Sequence, residues 1–134
     1  MKKQIFKGML QMESLITIVL ILVAVFLFIR TIRPPKGVNQ MTTEQLDQDL
    51  KQNKNKKQWI DVRTPGEFQS RNIKGFKNYP LQKLKQDLNE LDQNKEVVVI
   101  CQSGARSLAA ARTLKKNGFE QVTNVQGGMN AWKK

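Results

Sequence analysis

The stretch EVVVICQSGARSLAAARTLKKNG, residues 96–118, decides the fold. Residues 97–100 are β-branched throughout with no polar alternation, which predicts a strand covered on both faces. ARSLAAARTLKKNG (105–118) is rich in Ala and Leu, carries Lys115 and Lys116 in its last turn and stops at Gly118, so it reads as a helix. A doubly covered strand feeding a helix is the repeating unit of a parallel α/β sheet. The lone cysteine, Cys101, lies at the carboxyl end of that strand, where open parallel sheets gather their sites.

Working outward, QWIDV (58–62), FKNYP (76–80) and FEQVTNV (119–125) read as further strands. TPGEF (64–68) reads as a short helical turn, with Thr64 as N-cap, Pro65 first and Glu67 third. MTTEQLDQDLKQ (41–52) is a helix capped at Thr42 with Gln45 three residues on. Leu81, Leu84, Leu88 and Leu91 lie at helical spacing and predict one amphipathic helix. The expected class is α/β: an open, mostly parallel sheet flanked by helices, without internal repeats.

Residues 15–29, LITIVLILVAVFLFI, hold one Thr and no charge. With Ser14 and residues 30–32 they make a run of 19 residues, about 28 Å of helix, enough to cross a bilayer. No small-residue cleavage motif follows, and RTIRPPK is poor cleavage sequence. A core helix would show a polar face, and this one is apolar all round. The reading is a short tail (1–13), a retained transmembrane helix (14–32), a Pro/Gly linker RPPKGVNQ (33–40) and one globular domain (41–134). Three basic residues on each side of the apolar run leave the positive-inside count tied.

The net charge is +12: residues 1–36 carry six basic residues against Glu13 alone, and the rest carry 17 against 10 acidic. Beyond position 36 the basic residues are scattered, without the aromatic interleaving of a nucleic-acid platform, so no nucleic-acid partner is expected. An anionic membrane or anionic substrates fit the charge better. One Cys and no His exclude an internal disulfide framework and a zinc site. They also exclude a histidine-activated nucleophile. No cofactor or metal is expected.

Gln102, Ser103, Gly104 and Ala105 follow Cys101, and the helix starts near them. Such a loop can turn backbone N–H groups and the positive helix end toward the sulfur, and Gly104 permits close approach. Arg106 adds a planar charge for an anionic substrate. These features favour a thiolate without histidine, and the same cradle would hold a persulfide. The plainer reading is a buried structural cysteine.

CQSGARS (101–107) resembles the C-x-x-G-x-R active-site loop of the single-domain rhodanese (sulfurtransferase) family, membrane-anchored bacterial type. IDVRTPGEF, NIKGFKNYPL and GFEQVTNVQGGMNAW are similar to its other blocks, in the right order over residues 39–134. Asn72 stands where that family often has His and Phe76 where Ala is common, which predicts altered packing near the second block. The resemblance implies a rhodanese-like sheet and a two-step transfer. Cys101 would take sulfane sulfur from thiosulfate or a low-molecular-weight persulfide and pass it to a thiol or cyanide-type acceptor. Gln102, Ser103, Gly104 and Ala105 would supply the amide cradle, and Arg106 would close the loop and orient the donor. Asp61, Arg63 and Glu67 read as structural support, the two acids holding Arg63 or capping the adjacent turn. Met129 and Trp132 read as packing residues.

Two other functions share the scaffold. Cysteine-dependent phosphatases place five residues between Cys and Arg, whereas four separate Cys101 from Arg106 here, a loop better suited to one sulfur atom than to a phosphate. A non-catalytic, membrane-tethered binding module is the third reading, and such modules usually lack the cysteine. Expected partners are a small-molecule sulfur donor, a thiol acceptor, the membrane and a membrane or sulfur-carrier protein. A persulfide cycle needs reducing surroundings, so the domain is expected in the cytoplasm with the tail outside.

Overall fold

A computed structural model describes residues 1–134, which divide into two compact units, Met1–Arg33 and Pro34–Lys134. The first is a single helix, α1 (Lys2–Ile32), 31 residues long with no buried side chain. It starts well before Ser14 because the tail is built mainly of helix formers and holds no proline. Each of its hydroxyls is bonded within the helix: Ser14 to the Leu10 carbonyl, Thr17 to Glu13 and Thr31 to Leu27. A lipid environment, which offers no water, asks for that internal satisfaction. α1 is long and apolar enough to cross a membrane.

In the second unit five parallel strands form one sheet in the order β1-β5-β4-β2-β3. They are β1 (Val38–Met41), β2 (Gln58–Asp61), β3 (Lys77–Asn78), β4 (Val97–Ile100) and β5 (Val122–Val125). The crossovers carry α2 (Thr43–Asn53), α3 (Pro65–Ser70), α4 (Leu81–Leu84) and α5 (Ala105–Lys116), and α6 (Gly128–Ala131) follows β5. Reciprocal capping boxes start α2 (Thr42 with Gln45) and α3 (Thr64 with Glu67).

The central strand β4 explains its own composition. Val97, Val99 and Cys101 face Leu84, Ala110, Ala111 and Leu114 on one side of the sheet. Val98 and Ile100 face Leu46, Trp59 and Met129 on the other. Both faces are dry, so no position in the strand tolerates a polar side chain. Phe76 is buried on the second face with its ring centroid 5.9 Å from that of Trp59. Met129 and Trp132 are buried there as well.

Two local readings change. Residues 38–40, taken from the sequence as the end of a linker, belong to β1, an edge strand held only by β5. The Leu81–Leu91 series is not one helix but α4 followed by a separate 3-10 turn at Leu88–Glu90. All four leucines still pack on the first core face, because a tighter turn keeps the same side inward.

Candidate active site

Three carboxyl-terminal segments meet around Cys101. β4 delivers the cysteine itself. The adjacent β2, in register through Asp61 and Ile100, delivers Asp61 and Arg63, and the Val62 N–H donates to the Ile100 carbonyl at 3.0 Å. The turn after β5 delivers α6.

Cys101 Sγ is fully buried. The Gly104 N–H donates to it at 3.0 Å, and the sulfur lies 3.4 Å from Ser107 Oγ. The Ser107 hydroxyl, also buried, donates to the Gly104 carbonyl at 3.0 Å. Gly104 closes this small ring because it sits at φ 111°, a conformation that side-chain-bearing residues rarely adopt. As N-cap it offers α5 no side-chain acceptor, which leaves the first N–H groups of the helix uncapped beside the sulfur. Ser103 and Ala105 are exposed and Gln102 half-buried, so the loop forms the cover over the thiol.

The back of the loop is clamped by α6. The Met129 N–H donates to the Cys101 carbonyl at 2.9 Å and the Asn130 N–H to the Gln102 carbonyl at 3.0 Å. The Gln102 side chain donates to Asn130 Oδ1 and accepts from Arg63 at 3.2 Å. Arg63 is itself buried and gripped by Asp61 through Nε and Nη2, the latter at 2.8 Å, while its Nη2 also reaches the Arg71 carbonyl at 2.6 Å. A chain of charge-assisted bonds thus runs from the floor of β2 to the active loop.

Asp61→Asn keeps the shape but leaves the Arg63 charge buried without its counterion. The expected cost is about 3 kcal/mol of stability, read as a lower urea midpoint at unchanged slope.

Glu67 does not hold Arg63. It caps α3 and forms a bidentate pair with Arg106, at 2.8 and 2.9 Å, across the mouth of the loop. The Arg106 guanidinium, helped by the Thr64 backbone N–H, holds the Glu67 carboxyl far below its ordinary value of 4.5. Glu67 in turn raises the value for Arg106. The sequence reading that aims Arg106 at the donor therefore meets an arginine already engaged. Its outer side lines a cavity of about 220 Å³ with Val62, Pro65, Leu81 and Lys83.

Because the folded value of Glu67 is depressed, its contribution to stability is complete above the unfolded value. It is lost as pH falls from about 4.5 toward the lower folded value. Both side chains are about a third exposed, 34% and 36%, so screening keeps the gain under ~1 kcal/mol. Urea midpoints measured from neutral to acid pH should fall less steeply for Glu67→Gln than for the wild type.

Ser107, Gly128, Asn130 and Arg71 were not singled out from the sequence. The paired glycines at 127–128 were the available signal for the close approach at α6. Ser107 and Asn130 left none, since both act through contacts distant in the chain or through helix phase. No cluster of three or more His, Cys, Asp or Glu suited to a metal ion is present.

A parallel five-stranded sheet with a cysteine loop leading into a helix defines a rhodanese-like α/β domain. The family model for the rhodanese-like domain matches residues 42–134, and the chain belongs to that family. It is 47% identical over 77 residues to the uncharacterized protein YqhL of Bacillus subtilis, a match covering 58% of this chain and 61% of that one. It is 33% identical over 95 residues to a sulfurtransferase of Allochromatium vinosum, covering 71% of this chain and 88% of the relative. Among solved structures, a rhodanese-like domain protein from Staphylococcus aureus superposes with a TM-score of 0.67 at 31% identity, covering 72% of this chain and 93% of that one.

Proposed function

We propose that the chain is a membrane-anchored sulfurtransferase that carries sulfane sulfur as a Cys101 persulfide. The observation that carries this reading is the placement of Sγ. It lies at the end of β4, accepts the Gly104 N–H at 3.0 Å and sits beside the uncapped start of α5. Cys101 is the nucleophile. Its thiolate attacks the outer sulfur of thiosulfate or of a low-molecular-weight persulfide. A new S–S bond forms at Sγ, the donor's S–S bond breaks, and sulfite or the donor thiolate leaves with the electron pair. An acceptor thiolate or cyanide then attacks the outer sulfur, and Cys101 thiolate leaves.

The Gly104 N–H alone bonds to Sγ, so the expected cradle of Gln102, Ser103 and Ala105 amides is left for the outer sulfur of the persulfide, and Ser107 can turn its hydroxyl proton from the Gly104 carbonyl to Sγ. Arg106 fixes the mouth of the loop through Glu67, and Asp61 and Arg63 hold Gln102 in place. Because Sγ is fully buried, donor access needs the exposed cover at Ser103 and Ala105 to lift. The four-residue span from Cys101 to Arg106, narrower than a phosphatase loop, supports sulfur over phosphate as the bound anion.

Intact-mass measurement after treatment with thiosulfate or glutathione persulfide should find one added sulfur, removable by cyanide or dithiothreitol. A protein unmodified by both donors points instead to the binding module, and aryl-phosphate turnover lost in Cys101→Ser points to the phosphatase. In the same reading α1 anchors the domain on the cytoplasmic side, with a small-molecule donor, a thiol acceptor and a membrane or sulfur-carrier protein as partners. Protease added outside intact cells should leave the domain whole, and its digestion would reverse the orientation.

A further inference from the structure

We propose that the amino edge of the sheet is a docking surface for an anionic phospholipid bilayer, an inference that rests on α1 being a membrane anchor. In a wholly parallel sheet every strand starts at the same edge, and the helices that return the chain end there too. Lys36, Lys54, Lys56, Lys74, Lys95 and Lys116 all fall on segments that lead into strands, all are exposed, and none makes an ion pair.

Specific contacts tie these segments together. The Trp59 indole N–H donates to the Lys54 carbonyl at 3.0 Å, and a Cβ at Gly75, next to Lys74, would lie 3.8 Å from Lys54 Cε. A Cβ at Gly37, next to Lys36, would lie 3.3 Å from Lys115 Nζ. The Gln93 amide donates to the Asn117 carbonyl at 2.9 Å, bringing the turn before Lys95 beside the end of α5. Two exposed acids share these segments, Asp92 before β4 and Glu120 before β5, so the acidic groups reduce this charge without cancelling it. Asp49 and Glu96 are both taken by Lys57, at 2.6 and 2.9 Å. Compensation of helix ends accounts for Lys54 and Lys116, but Lys36, Lys74 and Lys95 belong to neither helix.

A lipid surface is favoured over an acidic protein or a nucleic acid by covalent reach. Five residues separate Ile32 from Val38, at most roughly 22 Å of extended chain at any relative orientation of the two units. The linker therefore keeps Lys36 close to any bilayer that holds α1, and the other lysines share with it the amino edge of the sheet. Juxtamembrane lysines near anionic lipid attract additively. Docked this way, the carboxyl edge with Cys101 faces the aqueous phase, open to donors and acceptors.

The test uses the full chain in nanodiscs, whose two faces are both open, made of phosphatidylcholine alone or with phosphatidylglycerol. A membrane-impermeant amine reagent is applied and each lysine is read by mass spectrometry. Lys54, Lys56, Lys74, Lys95 and Lys116 should label several-fold more slowly in the anionic discs and regain their rate in high salt. Lys83, on the opposite edge with Arg106, should label equally in both. Equal labelling of the edge lysines in both discs overturns the proposal. So does protection that includes Lys83, or protection conferred by DNA or an acidic peptide on zwitterionic discs. Failure of the chain to enter either disc removes the anchor and the docking surface together, while persulfide formation on Cys101, assayed separately, stands or falls by itself.

Discussion

A Cys101→Ser variant should take up no sulfur from thiosulfate or glutathione persulfide while unfolding in urea close to the wild-type midpoint. Cys101 is the only thiol in the chain, so the background is zero and the loss should exceed roughly a thousandfold, because a hydroxyl lacks the thiolate's affinity for sulfane sulfur. The fold should hold because oxygen in place of sulfur keeps the same two neighbours, the Gly104 N–H and the Ser107 hydroxyl. Those partners satisfy the buried hydroxyl, which keeps the stability change within about 1 kcal/mol. Intact mass and urea unfolding on the same sample separate the two effects. Sulfur bound covalently to the Ser variant would sink the nucleophile assignment.

The second large effect is structural. Gly128 sits at φ 55°, and a Cβ there would lie 2.2 Å from the Cys101 carbonyl oxygen and 2.8 Å from that of Gln102. Both contacts are to backbone, which cannot swing aside as a side chain can. Gly128→Ala must therefore push α6 off the loop and break the Met129 and Asn130 hydrogen bonds that clamp it. The expected loss is about 4 kcal/mol, with persulfide formation falling in step. Urea unfolding and donor kinetics measure the two together. A variant as stable as the wild type would show that α6 is not seated as described.

What was legible in the sequence was local. The unbroken β-branched run of β4 announced a doubly covered strand, and the two Thr-x-x-Gln/Glu patterns announced their capping boxes, because each acts within a few residues. β1 was hidden because VNQM follows two prolines and buries only Val38. What makes it a strand is its pairing with β5, more than eighty residues away. The Leu81–Leu91 spacing recorded which side faces the core but not the pitch of the turns that put it there. Within the site, Cys101 and Gly104 were readable from their place between strand and helix. The partner of Glu67 was not, since Arg63 lies four residues away and Arg106 thirty-nine, and only the assembled fold brings the distant one into reach.

The strand order carries a consequence for how the protein is made. β1, first of the strands to leave the ribosome, pairs only with β5, the last, and the α6 clamp on Cys101 comes later still. During synthesis the apolar α1 is available for insertion while the sheet still lacks its closing strand. The thiol then waits in an unfinished domain until α6 is translated. Assembly of the reactive loop is thus a long-range step that waits for β5 and α6, slow by topology.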